Sequence, residues 1–512
     1  MKSKISFQLV SIAILLLSAC SPASQEKEIN LDELTISGIH RAYENGDYNS
    51  RQLVEAYLGR IRKLDHTINS ITTINPDAVK RAVELDREYS ETGILKPLHG
   101  IPLVVKDNIN TAGMPTTAGS LALKDFIPEE DAFIIRKLVE AGAVIIAKSN
   151  MAEWAFSPMH TVSSTAGTTR NPYNTAYVPA GSSGGSAAAV ASNFVTVGLG
   201  TDTGNSIRGP SSHCALVGFR TTMGLVSRSA IVPLYLRNDV VGPMCRTVED
   251  ATRVLDIIAG YDPDDPLTGY STDKIPFSYQ QYLDKDGLQG KRIGVLADLT
   301  YNKPDPAIKD LFSRAVEDIE ALGAVVIDSV FIPRFDELRQ NQWCPMFRHD
   351  LEAFLAEYVK TDSLQTIEDI ISAGSESEFA AARLRESAGF EGRHGNDDSE
   401  CLDAFTDTKR IAFRRAIEGV MDSLQLDALI YPTWNNKPAR IEAFREEYRG
   451  DNNQVIAPHT GQPAFTVPMG YTEGNLPAGI QFLGRMFDEA GLVELSYAYE
   501  QGTKHRKAPE LF

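Results

Sequence analysis

Residues 154–238 hold one acidic residue, Asp202, against five arginines (Arg170, Arg208, Arg220, Arg228 and Arg237), in a chain whose net charge is −18. Buried glycine-rich turns would give this composition by accident, whereas a site that stabilises a developing oxyanion would exclude carboxylates. Two Gly/Ser runs fall inside the window, Gly181-Ser182-Ser183-Gly184-Gly185-Ser186 and Gly200-Thr201-Asp202-Thr203-Gly204-Asn205-Ser206-Ile207-Arg208, and each carries candidate nucleophiles. The first leads into Ala187-Ala188-Ala189-Val190-Ala191, a strong helix former, so the N–H groups of a helix start face the loop. It also fits G-x-S-x-G around Ser183, but a nucleophile elbow needs a strand just before it, and 171–180 has two prolines and no strand pattern. The second run follows an apolar strand and starts Gly198-Leu199-Gly200, yet residues 203–238 hold no acidic residue to bind a ribose, which argues against a dinucleotide fingerprint. Ser206 stands where that strand gives way to a loop, behind the amides of Thr203, Gly204 and Asn205. A nucleophile beside an amide cradle is what acyl transfer requires. Nine histidines are present, with no motif tying one to Ser206. Lys106 closes the apolar run Ile101-Pro102-Leu103-Val104-Val105, where desolvation favours a neutral amine able to act as a base. The bland alternative is a strand-end lysine, solvated or paired with Asp107.

These residues need elements to position them. Short Val- and Ile-rich runs at 101–105, 143–147, 195–199, 293–296, 325–330, 428–431 and 465–467 predict buried strands. Between them lie helical stretches such as 247–259, with Thr247 and Asp250 at capping-box spacing and Gly260 beyond the end. Amphipathic helices open the chain over 31–64, with Leu53, Val54, Tyr57, Leu58, Ile61 and Leu64 on one face. Strands alternating with helices predict an α/β core. Residues from about 333 to 422 are charged and helical, read as an insertion or cap, with an acidic loop at 395–400. Among 512 residues, 43% hydrophobic and 23% charged, the proportions are those of a folded enzyme-sized protein. The acidic balance argues against nucleic acid as a partner. Five cysteines, Cys20, Cys214, Cys245, Cys344 and Cys401, are too few and scattered for a disulfide framework and show no CxxC metal spacing. The run Asp262-Pro263-Asp264-Asp265 suggests a solvated turn more than a calcium loop.

Lys2, Lys4, an apolar run over 9–17 and the ending Leu17-Ser18-Ala19-Cys20 form a secretory signal pattern. The ending resembles the lipobox of bacterial lipoproteins, which implies cleavage before Cys20, lipid on its sulfur and a polar tether over 20–30. The mature protein would then face the periplasm or exterior of a bacterial cell envelope, held to a membrane through the lipid.

Taken together, Gly100-Ile-Pro-Leu-Val-Val-Lys106-Asp-Asn108, the 181–186 run and the 200–208 run resemble, in order and spacing, the three hallmark segments of the amidase-signature enzymes. The likeness continues in Gly224-Leu225-Val226-Ser227-Arg228, Gly242-Pro243-Met244 and Ala464-Phe465-Thr466-Val467-Pro468-Met469-Gly470. Within the family, Thr117-Ala118-Gly119-Ser120-Leu121-Ala122-Leu123 and Tyr497-Ala498-Tyr499-Glu500-Gln501 look closest to bacterial peptide amidases. The resemblance implies one catalytic domain over 31–512, a large mixed sheet flanked by helices on both faces. It also implies a Ser–cis-Ser–Lys triad: Ser206 as nucleophile, Ser182 as bridge and Lys106 as base, with an oxyanion hole from the N–H groups of Thr203, Gly204, Asn205 and Ser206. The substrate would be a small-molecule or peptide amide, cleaved through an acyl-enzyme with no metal and no cofactor; a homodimer is open. One departure is Asn205, where the family usually has a second glycine; Asn tolerates the positive φ that glycine often supplies. Arg208 is expected to tie the loop to the core, or else to meet a substrate carboxylate. Two other readings stand beside this one: a catalytically inactive solute-binding lipoprotein on the same fold, and the glutaminase subunit of a tRNA amidotransferase.

Overall fold

The computed structural model describes residues 29–390 and 401–510. The signal, Cys20, nearly all of the tether and the acidic loop at 395–400 lie outside the described residues. The compact unit runs from Leu31 to Phe512. Its strands in chain order are β1 (Ile71–Ile74), β2 (Pro102–Lys106), β3 (Val144–Ser149), β4 (Val162–Ser163), β5 (Gly167–Thr168), β6 (Val197–Asp202), β7 (Val217–Arg220), β8 (Val240–Cys245), β9 (Arg292–Leu296), β10 (Val325–Val330), β11 (Ala428–Pro432), β12 (Ala464–Thr472) and β13 (Leu476–Leu483).

Among the described residues eleven of these form one mixed sheet in the order β1-β3-β2-β6-β8-β7-β12-β13-β11-β9-β10, with β4 and β5 a separate small pair. β3, β2 and β6 run parallel, as do β11, β9 and β10, and an antiparallel block joins the two groups. Every residue of β2, β3, β6, β7, β8, β11 and β13 is buried. Successive side chains of a strand point to opposite faces, so both faces of the sheet are covered. The fold expected from the sequence is the one observed.

Two differences have physical causes. The run 325–330 is a strand, but β10 is the sheet edge: Val325 is 48% exposed, and only Val330 is buried in the core. Four strands of the main sheet, β1, β7, β8 and β13, are not signalled by apolar runs. β8 carries Gly242 and Pro243 and β13 carries Pro477 and Gly479, residues that ordinarily argue against a strand interior.

The opening helices are Ile36–Asn45 and Ser50–Ile68; the second buries Leu53, Val54, Tyr57, Leu58 and Ile61 of the predicted face but leaves Leu64 half-buried, and Asn49 with Gln52 forms its capping box. Thr247 caps the helix Val248–Ile258 through Asp250 N–H. Over 335–423 the helices Phe347–Phe354, Ile367–Ala373 and Glu378–Ala388 pack with Trp154, Ala155 and Phe156. Helix Thr408–Ser423 packs elsewhere, beside β11 and β9. A disulfide joins Cys344 to Cys401 with Cα atoms 5.8 Å apart. Their separation of 57 residues is why spacing alone did not reveal the pair. Asp262 and Asp265 are buried, and their carboxylates accept from Ser229 Oγ (2.6 Å) and Arg228 Nε (2.7 Å). The run is a turn anchored by Asp262 and Asp265, with Pro263 and Asp264 exposed to solvent.

Candidate active site

Lys106 is the last residue of β2, and its side chain is fully buried. Its Nζ lies 2.8 Å from Ser182 Oγ, 2.7 Å from Thr201 Oγ1 and 3.3 Å from the Thr201 carbonyl. Burial drives the ammonium down to about 7, against the opposing pull of Asp202 and Asp239. A neutral amine has two protons and one lone pair, so it can donate to both Thr201 oxygens and accept the Ser182 hydroxyl proton. Asp107 is not its partner: that carboxylate lies 3.8 Å from Lys148 Nζ on the other side of the strand.

The loop that carries Ser182 is held from several sides. Ala152 N–H donates to the Ser182 carbonyl at 3.0 Å, and the Gly181–Ser182 peptide is cis. Ser186 Oγ donates to the Leu199 carbonyl at 2.9 Å, joining the start of helix Gly184–Ala191 to β6. Ser183 turns away and donates to the Thr201 carbonyl at 3.1 Å, and among the described residues no strand runs into it, so the elbow reading fails. Gly185 faces the backbone of Asn150 so closely that a Cβ there would overlap its carbonyl oxygen.

Beyond β6 the chain turns through 203–207 into helix Arg208–His213. Among the described residues no acceptor takes a hydrogen bond from the N–H groups of Thr203, Gly204, Asn205 or Ser206, so this amide row is free to receive an oxyanion. Asp202 ties the turn shut. Its carboxylate accepts from Ile207 N–H (3.1 Å), Arg208 Nε (3.1 Å) and Arg220 Nη1 (2.9 Å). Burial alone would raise its pKa, yet the two guanidiniums hold it at about 2. Arg208 also donates to the carbonyls of Gly204 (2.8 Å) and Asn453 (3.0 Å), so it anchors the loop and does not line the cavity. Ser206 Oγ rests 3.5 Å from Asn205 Oδ1. The Asn205 amide in turn donates to the Pro158 carbonyl (3.2 Å) and to Asp451 (3.0 Å). Asn205 does not adopt a positive φ, so the conformational tolerance expected of it is not used; its side chain is a brace.

A cavity of about 530 Å³ opens over this turn, lined by Thr203, Gly204, Asn205 and Ser206 at its floor. Gln454 lines it beside Gly204, and the helical segment supplies 343–347, Arg383, Glu386, Ser387 and Phe390. Among the described residues no histidine lines it. Carboxylates are not excluded as the composition suggested: Asp202 and Asp239 both act on Lys106, and Thr203 Oγ1 donates to Asp239 at 2.5 Å. Four of the five arginines of the window are in ion pairs, Arg208 and Arg220 with Asp202, Arg228 with Asp265 and Arg237 with Asp350, while Arg170 is exposed and donates to the Thr175 carbonyl at 3.0 Å. The charge pattern is therefore that of buried ion pairs.

Thr201, Asp451 and Gln454 were missed. Thr201 had a signal, since a lysine closing a dry strand needs a polar partner on the neighbouring one. Asp451 lies 246 residues from Asn205 and had none.

A profile of the family described as Amidase matches residues 52–493. A probable amidase of Arabidopsis thaliana is 34% identical over 518 residues, covering 97% of this chain and 95% of that protein. A glutamyl-tRNA(Gln) amidotransferase subunit of Thermosynechococcus vestitus is 33% identical, covering 93% of this chain and 99% of that one. The solved structure of native peptide amidase from Stenotrophomonas maltophilia superposes with a TM-score of 0.82 at 36% identity, over 94% of this chain and 99% of that chain. With the fold shared and the match running through nearly the whole compact unit, the chain belongs to the amidase-signature family and is an amide-hydrolysing enzyme.

Proposed function

We propose that the protein is a serine amidase that cleaves peptide amides through an acyl-enzyme on Ser206. The observation that carries this reading is the buried Lys106 Nζ, 2.8 Å from Ser182 Oγ and beside a turn of unengaged amides. Neutral Lys106 takes the Ser182 proton, and Ser182 takes that of Ser206 as its hydroxyl turns from Asn205 to the bridge. Ser206 Oγ then bonds to the amide carbon, and the N–H groups of 203–206 receive the negative oxygen. A donor of this kind contributes about 2.7–4 kcal/mol to lowering the barrier. The C–N bond breaks as the relay returns its proton to nitrogen, and ammonia or an amine departs. Water then attacks the ester, giving up its proton to the same relay, and the carboxylate is released.

Similarity to peptide amidase over almost the full length supports peptide amides as the substrate class. Similarity to the amidotransferase subunit favours a glutaminase reading, but the charged residues of the cavity wall, Arg383 and Glu386, pair with each other at 2.6 Å. Among the described residues the cavity offers no further cation for the carboxylate of free glutamine. A solute-binding role without catalysis has no need of a lysine held neutral against Ser182. The lipobox-like ending at Cys20 and the Cys344–Cys401 disulfide together support an envelope location, because disulfides persist in oxidising compartments. Labelled palmitate should enter the wild type and not Cys20→Ser.

Ammonia release from blocked peptide amides tests the chemistry. Ser206→Ala, Ser182→Ala and Lys106→Ala should each lower kcat by about 10³-fold or more, with Lys106→Ala/Ser206→Ala no worse than either alone, as expected of groups acting as a unit. Retention of kcat in Ser206→Ala would reject the proposal.

A further inference from the structure

The cavity above Ser206 has a polar floor and an aromatic wall, and the wall is built in two tiers. In the inner tier Phe347 and Phe156 lie with ring centroids 4.6 Å apart, and Trp154 meets Phe347 edge-on at 6.2 Å. Both phenylalanines are buried in the cluster that fastens the helical segment to the body of the protein. In the outer tier Trp343 and Phe390 stand at the cavity with 49% and 45% of their surface exposed. Trp343 is braced edge-on by His459 at 4.8 Å and lies 6.1 Å from Tyr235. Large aromatic side chains left half in water beside a reactive serine mark a surface that an apolar group covers.

The segment carrying Trp343 and Phe347 contains only the short helix start at Phe347 and is fixed from outside. Cys344 is joined to Cys401, and the Cys401 carbonyl accepts from Arg237 Nε at 2.6 Å. Arg410 Nη2 donates to the Gln342 carbonyl at 3.2 Å. The only charges on the wall among the described residues, Arg383 and Glu386, neutralise each other.

We infer that the segment 343–347, clasped by the Cys344–Cys401 disulfide, is the acyl-specificity wall, and that it selects amides whose acyl part carries a bulky apolar side chain next to the scissile carbonyl. This rests on the amidase reading above and narrows it.

The test is steady-state hydrolysis by the full chain of N-acetyl-glycinamide, N-acetyl-phenylalaninamide and N-acetyl-glutamic acid amide. The phenylalanine amide should exceed the glycine amide in kcat/KM by about tenfold or more, the scale on which apolar pockets discriminate, with the glutamic acid amide below both. Trp343→Ala and Phe390→Ala, both at half-exposed positions, should shrink the Phe:Gly ratio through KM. Cys401→Ser should shrink it likewise, as should reduction of the wild type with dithiothreitol. A flat or reversed preference overturns the inference while leaving the amidase reading intact, as does an unmoved ratio in Trp343→Ala and Phe390→Ala. A ratio moved by these two but not by Cys401→Ser or reduction overturns the clasp. Hydrolysis of none of the three amides, or of any other peptide amide, overturns the inference together with the reading beneath it.

Discussion

At the scale of single residues the account turns on a lysine kept neutral by its surroundings. Burial brings Lys106 down to about 7, so the base is protonated and idle below that pH. kcat/KM should therefore rise with pH through about 7 in a pH–rate profile, and Lys106→Arg, always charged, should be inactive across the range. The same shift has a stability consequence of fixed sign. Its folded pKa lies below the unfolded value near 10.5, so between about 7 and 10.5 the unfolded chain binds more protons than the folded one. This contribution is largest above the unfolded pKa and is lost as pH falls through the folded one. Lys106→Met should thus gain Tm relative to the wild type at pH 7 and lose most of that advantage by pH 10. Asn205 makes a separate prediction. Its amide donates to the half-buried Asp451 carboxylate, and bonds to charged groups contribute about 1.5–3 kcal/mol. Asn205→Ala should lower the unfolding free energy read from urea titration by that amount and reduce kcat, because the turn holding Ser206 loses its brace.

At the scale of elements, the site stands where β2 and β6 end and where the helix Gly184–Ala191 begins, three pieces read readily from sequence. β2 and β6 are short, fully buried strands led by Val and Leu, and all eight residues of that helix are buried, which explains its Gly/Ser/Ala composition. Gly200 permits the crossing, since a Cβ there would come within 2.9 Å of Ser183 Oγ. Gly185 is stricter, packed against the Asn150 backbone with no flexible side chain to yield. Gly185→Ala should abolish activity and lower Tm, whereas Gly59→Ala, where nothing lies within 4 Å, should leave both near wild type; differential scanning fluorimetry with an ammonia assay separates them. β8 was illegible because Pro243 breaks the pattern of a central strand, although the strand pairs β6 across its whole length. The edge strand β10 misled in the other direction, since Val325 and Val326 pair with β9 yet leave much of their surface in water.

At the scale of the whole molecule, what sequence could not show is what long-range packing assembles. Residues near the nucleophile come from 451–454, and the cavity wall comes from 343–347 and 383–390, brought together by loops and by a disulfide that no local spacing predicts. The order of the three motif segments, by contrast, was enough to name the family and to place Lys106 against Ser182, since a family fold fixes their separation in space. The central claim is that Ser206 becomes a nucleophile through Ser182 and Lys106. A fluorophosphonate probe applied to residues 21–512, followed by peptide mass spectrometry, measures this most directly. The account predicts one adduct, on Ser206, lost in Lys106→Ala; an adduct on Ser183, or one on Ser206 that forms equally fast without the lysine, would contradict it.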